Sequence, residues 1–140
     1  MKRYFTLEEA QAELPDVKVA LQRLMELNKA LALLNSVDIS YEDDFRSIQS
    51  HLQMHTKFHK LSHDLYQGLS DFLERGVVVK DLDAGLIDFY SFFQGKEIFL
   101  CWKVGEEKIT HWHTLHEGYP GRKPIAILLE DAFHKGEAQR

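Results

Sequence analysis

The hydrophobic pattern changes its period once, at Gly76, and this change constrains the fold more than any other feature of the chain. Before Gly76, apolar residues recur at steps of three and four, which is the spacing of one face of an α-helix. After it, a β-branched run starts at Val77 and short alternating segments follow, which is typical of strands. The sequence therefore predicts an α+β fold, with a helical part at about 6–75 and a β-hairpin part at about 77–113.

The first helix has a clear start and a clear apolar seam. Thr6 and Glu9 have the spacing of a capping box, so a helix is predicted to begin near Leu7. Because proline removes a backbone donor inside a helix, Pro15 predicts a break, with a short helix to about Leu14 and a long one from Pro15 to about Asn35. Only Asn28 interrupts the seam, whose apolar members are Leu7, Ala10, Leu14, Val17, Leu21, Leu24 and Leu31.

A second long helix is predicted after the polar turn at 35–41, with Asp38 or Ser40 as its cap and its end near Arg75. Two long helices joined by a short turn form a long antiparallel helical hairpin. The apolar stripe of the second helix is predicted to open with Phe45, Ile48 and Leu52 and to continue through Met54, Phe58, Leu61, Leu65, Leu69 and Phe72.

The C-terminal half predicts a small antiparallel β-sheet of three to four strands. The segments 77–79 and 86–89 flank the turn sequence DLDAG, and a strong strand at 97–104 is joined by a GEE turn to a partner at 108–113. A loop and a short C-terminal helix are predicted for about 114–134. No linker divides the chain, so a single domain is expected over 1–140. The apolar positions of the C-terminal helix are Ile125, Leu128, Leu129, Ala132 and Phe133.

Composition limits the class of protein. The net charge is -5 and basic residues are interspersed with more numerous acidic ones, so nucleic acid is not expected as a partner. No window is long and apolar enough for a membrane span, and the N-terminus has no apolar signal-peptide segment. The single cysteine, Cys101, cannot form an intramolecular disulfide. We therefore expect a cytoplasmic protein with no membrane partner.

Seven of the eight histidines fall in two clusters. His51, His55, His59 and His63 are four residues apart and form a ladder on the second helix, which favours either a polar helix flank or, less often, a metal or pH-sensitive surface. The second cluster is His111, His113 and His116, of which the first two project from the same face of a strand. This second set, with Glu117 and nearby aspartates, would suit zinc, manganese or iron, although ordinary packing explains it as well.

The loop HEGYPGRKP contains groups that recognise anions. Gly118 and Gly121 permit close backbone approach, and Arg122 offers a planar fork of donors for a carboxylate or phosphate. The alternative is an ion pair within the chain, from Arg122 to Asp81, Asp83 or Asp88. Two tryptophans, at 102 and 112, are expected in the core, and the thiol of Cys101 is expected to be inert because its strand neighbours are apolar.

Three segments, at 4–17, 76–89 and 99–125, resemble the prokaryotic family called domain of unknown function 2203. The resemblance implies a small cytoplasmic protein with a helical N-terminal part and a C-terminal hairpin region, and it implies no activity or cofactor. The ladder of histidines and the tail beyond Ile125 do not belong to the family pattern. The matching positions are Lys80, Asp81, Gly85, Asp88, Phe89, Trp102, Gly105, Glu106, Trp112, His113, Gly118, Gly121 and Arg122.

Three functions remain open from the sequence. The first is a ligand-binding or protein-interaction module whose candidate binding residues are Lys80, Asp81, Asp88, Trp112, His113 and Arg122. The second is a metal-dependent, hydrolase-like enzyme in which His111, His113 and an aspartate hold the metal while Glu117 or Asp88 is the base. The third is a structural helical dimer or scaffold. We also expect a homodimer, because a helical hairpin beside a small sheet leaves apolar surface uncovered.

Overall fold

The computed structural model describes residues 3–36 and 45–130, and it confirms the α+β arrangement of a helical hairpin and an antiparallel sheet. No helix among these described residues is long and apolar enough to cross a membrane. The elements in chain order are α1 (Leu7–Ser36), α2 (Phe45–Arg75), β1 (Val77–Asp81), β2 (Leu86–Phe93), β3 (Lys96–Lys103), β4 (His111–Thr114), a 3₁₀ helix (Tyr119–Gly121), β5 (Lys123–Pro124) and a second 3₁₀ helix (Ile125–Glu130).

Helix α1 starts where the capping box predicts. The Thr6 N–H donates to Glu9 Oε1 at 2.8 Å, and the Glu9 N–H donates to Thr6 Oγ1 at 3.1 Å. The predicted break at Pro15 is wrong, because one helix continues through the proline. Leu14 and Val17 are both buried on either side of exposed Pro15, so core packing of the seam outweighs the lost backbone hydrogen bond.

The two helices run antiparallel. Leu24 lies against Gly68, where an added Cβ would come within 2.3 Å of the leucine side chain, so the missing side chain lets the helices approach closely. The predicted stripe of α2 is buried or half-buried from Met54 to Phe72, but Ile48 and Leu52 are exposed. The predicted caps, Asp38 and Ser40, and the side chain of Phe45 lie outside the described part of the chain.

The sheet has five antiparallel strands in the order β1-β2-β3-β4-β5, whereas three to four were predicted. The extra strand is β5, two residues long, which the sequence does not reveal because it contains Pro124 and lies at the sheet edge. The predicted strand at 108–113 begins only at His111. Ile109 uses its N–H and C=O to bond the side-chain amide of Gln11 on α1, at 2.9 Å each, and this replaces pairing with β3.

The two faces of the sheet have different environments. Residues facing the helices join the main core, among them Ile87, Phe89, Leu100, Trp102 and Trp112. The opposite face carries the alternate residues, including Asp88, Cys101 and His113. The C-terminal segment from Ile125 is a 3₁₀ helix in its described part, and the predicted continuation through Ala132 and Phe133 lies outside that part.

Candidate functional site

Three polar side chains from three neighbouring strands meet on the sheet face opposite the helices. Asp88 on β2 is paired directly with Cys101 on β3, and His113 on β4 is paired with Phe99, two residues along β3 on the same face. All three are buried, with exposed fractions of 1% for Asp88, 0% for Cys101 and 2% for His113. One ligand atom from each lies within 4.8 Å of the other two. We call this group the Asp–Cys–His cluster.

The hydrogen bonds of His113 fix its orientation. Its Nδ1 lies 2.8 Å from the carbonyl oxygen of Thr114, which can only accept, so Nδ1 carries a proton. Its Nε2 lies 3.2 Å from Asp88 Oδ1. In a neutral imidazole that Nε2 would be an acceptor facing an acceptor, so the contact is favourable only with a proton or another cation between the two atoms.

Burial and charge act in opposite directions on His113. Burial lowers its pKa, but the hydrogen bonds with Asp88 and the Thr114 carbonyl, together with the carboxylate charge, outweigh burial and raise the pKa above the ordinary 6.5. Burial, with the charge of Asp88, raises the pKa of Cys101 to about 12. Without a bound cation the folded protein therefore favours the protonated thiol.

Arg122 lies beside this cluster but pairs with a residue that the sequence did not indicate. Its Nη2 is 2.9 and 2.8 Å from the two carboxylate oxygens of Glu106 and 3.4 Å from the carbonyl oxygen of Cys101. The predicted partners Asp81, Asp83 and Asp88 are therefore wrong. The guanidinium also lies over the ring of Tyr119, 4.6 Å from its centroid. Burial lowers the pKa of Arg122, but the bond to Glu106 outweighs this and raises it.

Glu106 is held in place by the backbone around it. Its Oε1 accepts the Lys103 N–H at 2.8 Å, and its carbonyl accepts the indole N–H of Trp102 at 3.0 Å. The GEE turn therefore holds the Glu106 carboxylate in a fixed position, where it pairs with Arg122. Gly121 supports the same loop by close approach, because an added Cβ would lie 2.8 Å from the Cβ of Glu117.

The other predicted binding residues do not all converge on the cluster. Lys80 is near it, with Nζ 4.4 Å from the centroid of the Phe99 ring, and that ring lies 5.6 Å from the His113 ring. Asp81 instead closes the turn between β1 and β2, where Oδ1 accepts the N–H groups of Asp83 and Ala84. Trp112 is a core residue on the opposite face and donates to the Pro124 carbonyl.

The predicted metal set His111, His113 and His116 is not brought together. Half-buried His111 places Nδ1 2.8 Å from the Thr110 hydroxyl, and His116 is exposed beyond the end of β4. Among the described residues, the group with converging ligand atoms shares only His113 with that set. Glu117 is paired with Lys123 at 2.5 Å, and this bond, with those to Thr114, lowers its pKa to about 2, so it is a poor general base.

The histidine ladder lies on α2, far along the chain from the cluster. The rings of His51 and His55 are 4.1 Å apart between centroids, and those of His55 and His59 are 6.2 Å apart. Adjacent rings thus lie side by side as the spacing predicts. The ladder shares no residue with the Asp–Cys–His cluster.

The sequence did not indicate a contact partner for two residues of the site, Cys101 and Glu106. The signal for Cys101 was alternation, since Asp88, Cys101 and His113 occupy outward positions of three successive strands. Recognising it needed the register of those strands, which depends on their pairing. For Glu106, the signal was its position in the turn after β3, the strand whose Cys101 carbonyl oxygen also lies near Arg122.

These elements define a small α+β protein in which a helical hairpin covers one face of an antiparallel meander and a buried polar cluster lies on the other face. The chain belongs to the family described as uncharacterized conserved protein (DUF2203), whose model matches residues 3–125, and this confirms the resemblance noted from the sequence. No curated protein and no solved structure matches the chain significantly.

Proposed function

We propose that the protein is a protein-interaction module whose helical hairpin carries the binding surface, and that its partner is a second copy of the chain. A row of exposed apolar side chains along α2 supports this proposal, and we call it the outer stripe. It consists of Ile48, Leu52, Tyr66 and Leu73, with exposed fractions of 55%, 60%, 70% and 62%.

The outer stripe lies on one side of α2. Ile48 and Tyr66 are separated by 18 residues, which is about five turns, and Leu52 and Leu73 lie within about 40° of that line. The stripe has a length of about 37 Å along the helix axis. Large apolar side chains collected on one exposed face are typical of a surface that binds another protein.

The spacing of the stripe favours a second copy in antiparallel orientation. Ile48 and Leu73 lie about equally far from position 60, and so do Leu52 and Tyr66. A twofold axis near that position would bring Ile48 of one subunit against Leu73 of the other, twice, as an isologous interface requires. His55 and His59, both exposed, would then lie near the centre of the interface.

The other two functions have less support. The polar loop residues that were candidates for ligand binding are largely bonded within the protein, as Arg122 is to Glu106 and Asp81 is to its own turn. A metal-dependent hydrolase needs an open coordination position for water or substrate. Asp88, Cys101 and His113 are buried, so the cluster has the character of a closed site.

Light scattering at micromolar concentration tests the proposal directly. We expect a mass about twice that of the 16.3 kDa chain. The single variants Ile48→Glu and Leu73→Lys should each give monomers, because a charge would be buried in the interface. Val19→Glu is the matched control, since Val19 is exposed on α1, away from the stripe, and should leave the mass unchanged.

Mixing the two variants tests the antiparallel register. In an Ile48→Glu and Leu73→Lys pair, one contact joins the new glutamate and the new lysine, and the other keeps its original leucine and isoleucine. We therefore expect the mixture to recover dimers that neither variant forms alone. A folded wild-type protein that is monomeric, or a dimer unaffected by either charge, would overturn the proposal.

A further inference from the structure

We propose that the Asp–Cys–His cluster is a binding site for one divalent transition metal ion of the zinc type. This inference goes beyond the proposed self-association and does not depend on it. The cluster is on the sheet, whereas the outer stripe is on α2. It differs from the metal set predicted from the sequence, because Asp88 and Cys101 take the places of His111 and His116.

The positions of the ligand atoms fit such an ion. Zinc bonds to nitrogen, oxygen and sulfur are about 2.0–2.3 Å long, so two ligands of a tetrahedral ion lie about 3.3–3.8 Å apart. The 3.2 Å between Asp88 Oδ1 and His113 Nε2 is close to this range, and all three ligand atoms lie within 4.8 Å of one another. Small side-chain rotations would complete the geometry.

The polar groups of the cluster are incompletely paired without a cation. Asp88 Oδ2 is buried and has no hydrogen-bond partner, one of two such side-chain atoms among the described residues. Buried polar atoms normally have partners, so an orphaned carboxylate oxygen requires an explanation. In the neutral ring, the proton of His113 is on Nδ1 and bonded to Thr114, which leaves the lone pair of Nε2 directed at the carboxylate. A cation between them satisfies both groups.

The bond from His113 Nδ1 to the Thr114 carbonyl is also the arrangement that orients metal-binding histidines. Such residues commonly bind through one ring nitrogen and donate the other N–H to a carbonyl or carboxylate. Here the free nitrogen, Nε2, is the one that faces Asp88 and the cluster. The orienting partner is therefore already in place on β4.

The donor set selects the class of metal. One nitrogen, one carboxylate oxygen and one sulfur favour zinc or cobalt over magnesium or calcium, which prefer oxygen ligands alone. On binding, the thiol of Cys101 releases its proton to solvent, and the thiolate and the Asp88 carboxylate together balance the charge of the ion. The fourth position would be taken by the second oxygen of Asp88, Oδ2, which has no other partner.

A closed site of this kind would fasten strands β2, β3 and β4 to one another. Its expected effect is a metal-dependent increase in stability, because an ion that binds the folded state alone shifts the unfolding equilibrium. Since the three ligands are buried, the ion is expected to enter during folding or slow opening of the sheet. Metal should therefore be added both to native protein and during refolding.

Cobalt is the probe for the test because a cobalt–thiolate bond gives a charge-transfer absorption band. Cys101 is the sole cysteine of the chain, so this band reports on the cluster alone. The histidine ladder could bind metal by itself, so the titration uses untagged full-length protein carrying His55→Ala and His59→Ala. Circular dichroism checks that each further variant in this background is folded.

We expect one equivalent of cobalt to produce the thiolate band and a zinc titration to abolish it by competition. Cys101→Ser should remove the band, and the isosteric Asp88→Asn and the shape-conserving His113→Gln should each weaken binding at least about tenfold. His111→Gln, which alters a neighbouring histidine outside the cluster, should have no effect. Zinc should raise the Tm of the background protein but not that of the Cys101→Ser variant.

Two results would overturn the proposal. One is the absence of a thiolate band at saturating cobalt in protein that is folded or has been refolded with the metal. The other is a band of unchanged affinity in folded Asp88→Asn and His113→Gln variants. Neither result bears on self-association, since the light-scattering test concerns residues on α2.

Discussion

Asp88 Oδ1 and His113 Nε2 lie 3.2 Å apart although 25 residues separate them in the chain and strand β3 runs between their own strands. The contact exists because both side chains project from the same face of the sheet and lie diagonally across β3, where Asp88 is paired with Cys101 and His113 with Phe99. The side chain of Cys101, on the same face of β3, completes the cluster. Because both residues are buried, removal of either one should change the free energy of unfolding by a measurable amount.

The first prediction concerns removal of one partner of this pair. His113→Gln leaves the Asp88 carboxylate buried beside a neutral side chain, and we expect the free energy of unfolding to fall by about 3 kcal/mol. Asp88→Asn should also destabilise the fold, and the double variant should lose less than the sum of the two single losses. Urea denaturation of metal-free protein measures all three. Additive losses would show that the two residues do not interact.

The second prediction is the pH dependence of stability. The folded state raises the pKa of His113 above the 6.5 of the unfolded chain, so it binds the proton more tightly than the unfolded state does. The resulting stabilisation is fully present below pH 6.5 and is lost as pH rises through the folded-state pKa. We expect the stability difference between wild type and His113→Gln to shrink with rising pH, measured by urea denaturation with a chelator. A difference that grows with pH would contradict this.

The third prediction concerns Arg122. Arg122→Lys keeps the charge but loses the planar group that bonds both oxygens of Glu106 and covers the ring of Tyr119. We expect a loss of about 1–3 kcal/mol in the free energy of unfolding, because hydrogen bonds to charged groups at partly buried sites are of that size. The control is Lys123→Gln, which removes a solvent-exposed pair with Glu117 and should cost less than Arg122→Lys because solvent screens exposed charges. Equal losses for the two variants would argue against a special role for Arg122.

The fourth prediction concerns Pro15, which lies inside α1 and is exposed. Pro15→Ala restores a backbone N–H within the helix and removes the clash with the preceding turn, so we expect stability to rise by about 1–3 kcal/mol. Thermal unfolding followed by circular dichroism measures the change in Tm. Ala12→Gly, at another exposed position of the same helix, should lower the Tm and serves as the control of opposite sign. A fall in Tm for Pro15→Ala would mean that the proline relieves strain in α1.

Local patterns predicted most of the secondary structure. The Thr6 and Glu9 cap, the buried seam of α1 and the strand at Lys96–Lys103 follow from residue spacing within a single segment. Such patterns work because side-chain periodicity directly reflects which face an element buries. They failed at Pro15, where packing of the flanking seam outweighs a local penalty, and at β5, whose two residues pair only because β4 provides an edge.

For the site, the sequence alone pointed to Asp88, His113 and Arg122 and established the α+β class and family resemblance of the chain. The tertiary structure decided which residues touch, because contacts across a sheet depend on strand register. Register brought Asp88, Cys101 and His113 together and left His111 and His116 outside the cluster, whereas Trp112 is in the core as the sequence predicted. The tertiary structure also determined that Arg122 pairs with Glu106, because the turn after β3 holds the Glu106 carboxylate within hydrogen-bond distance of the guanidinium.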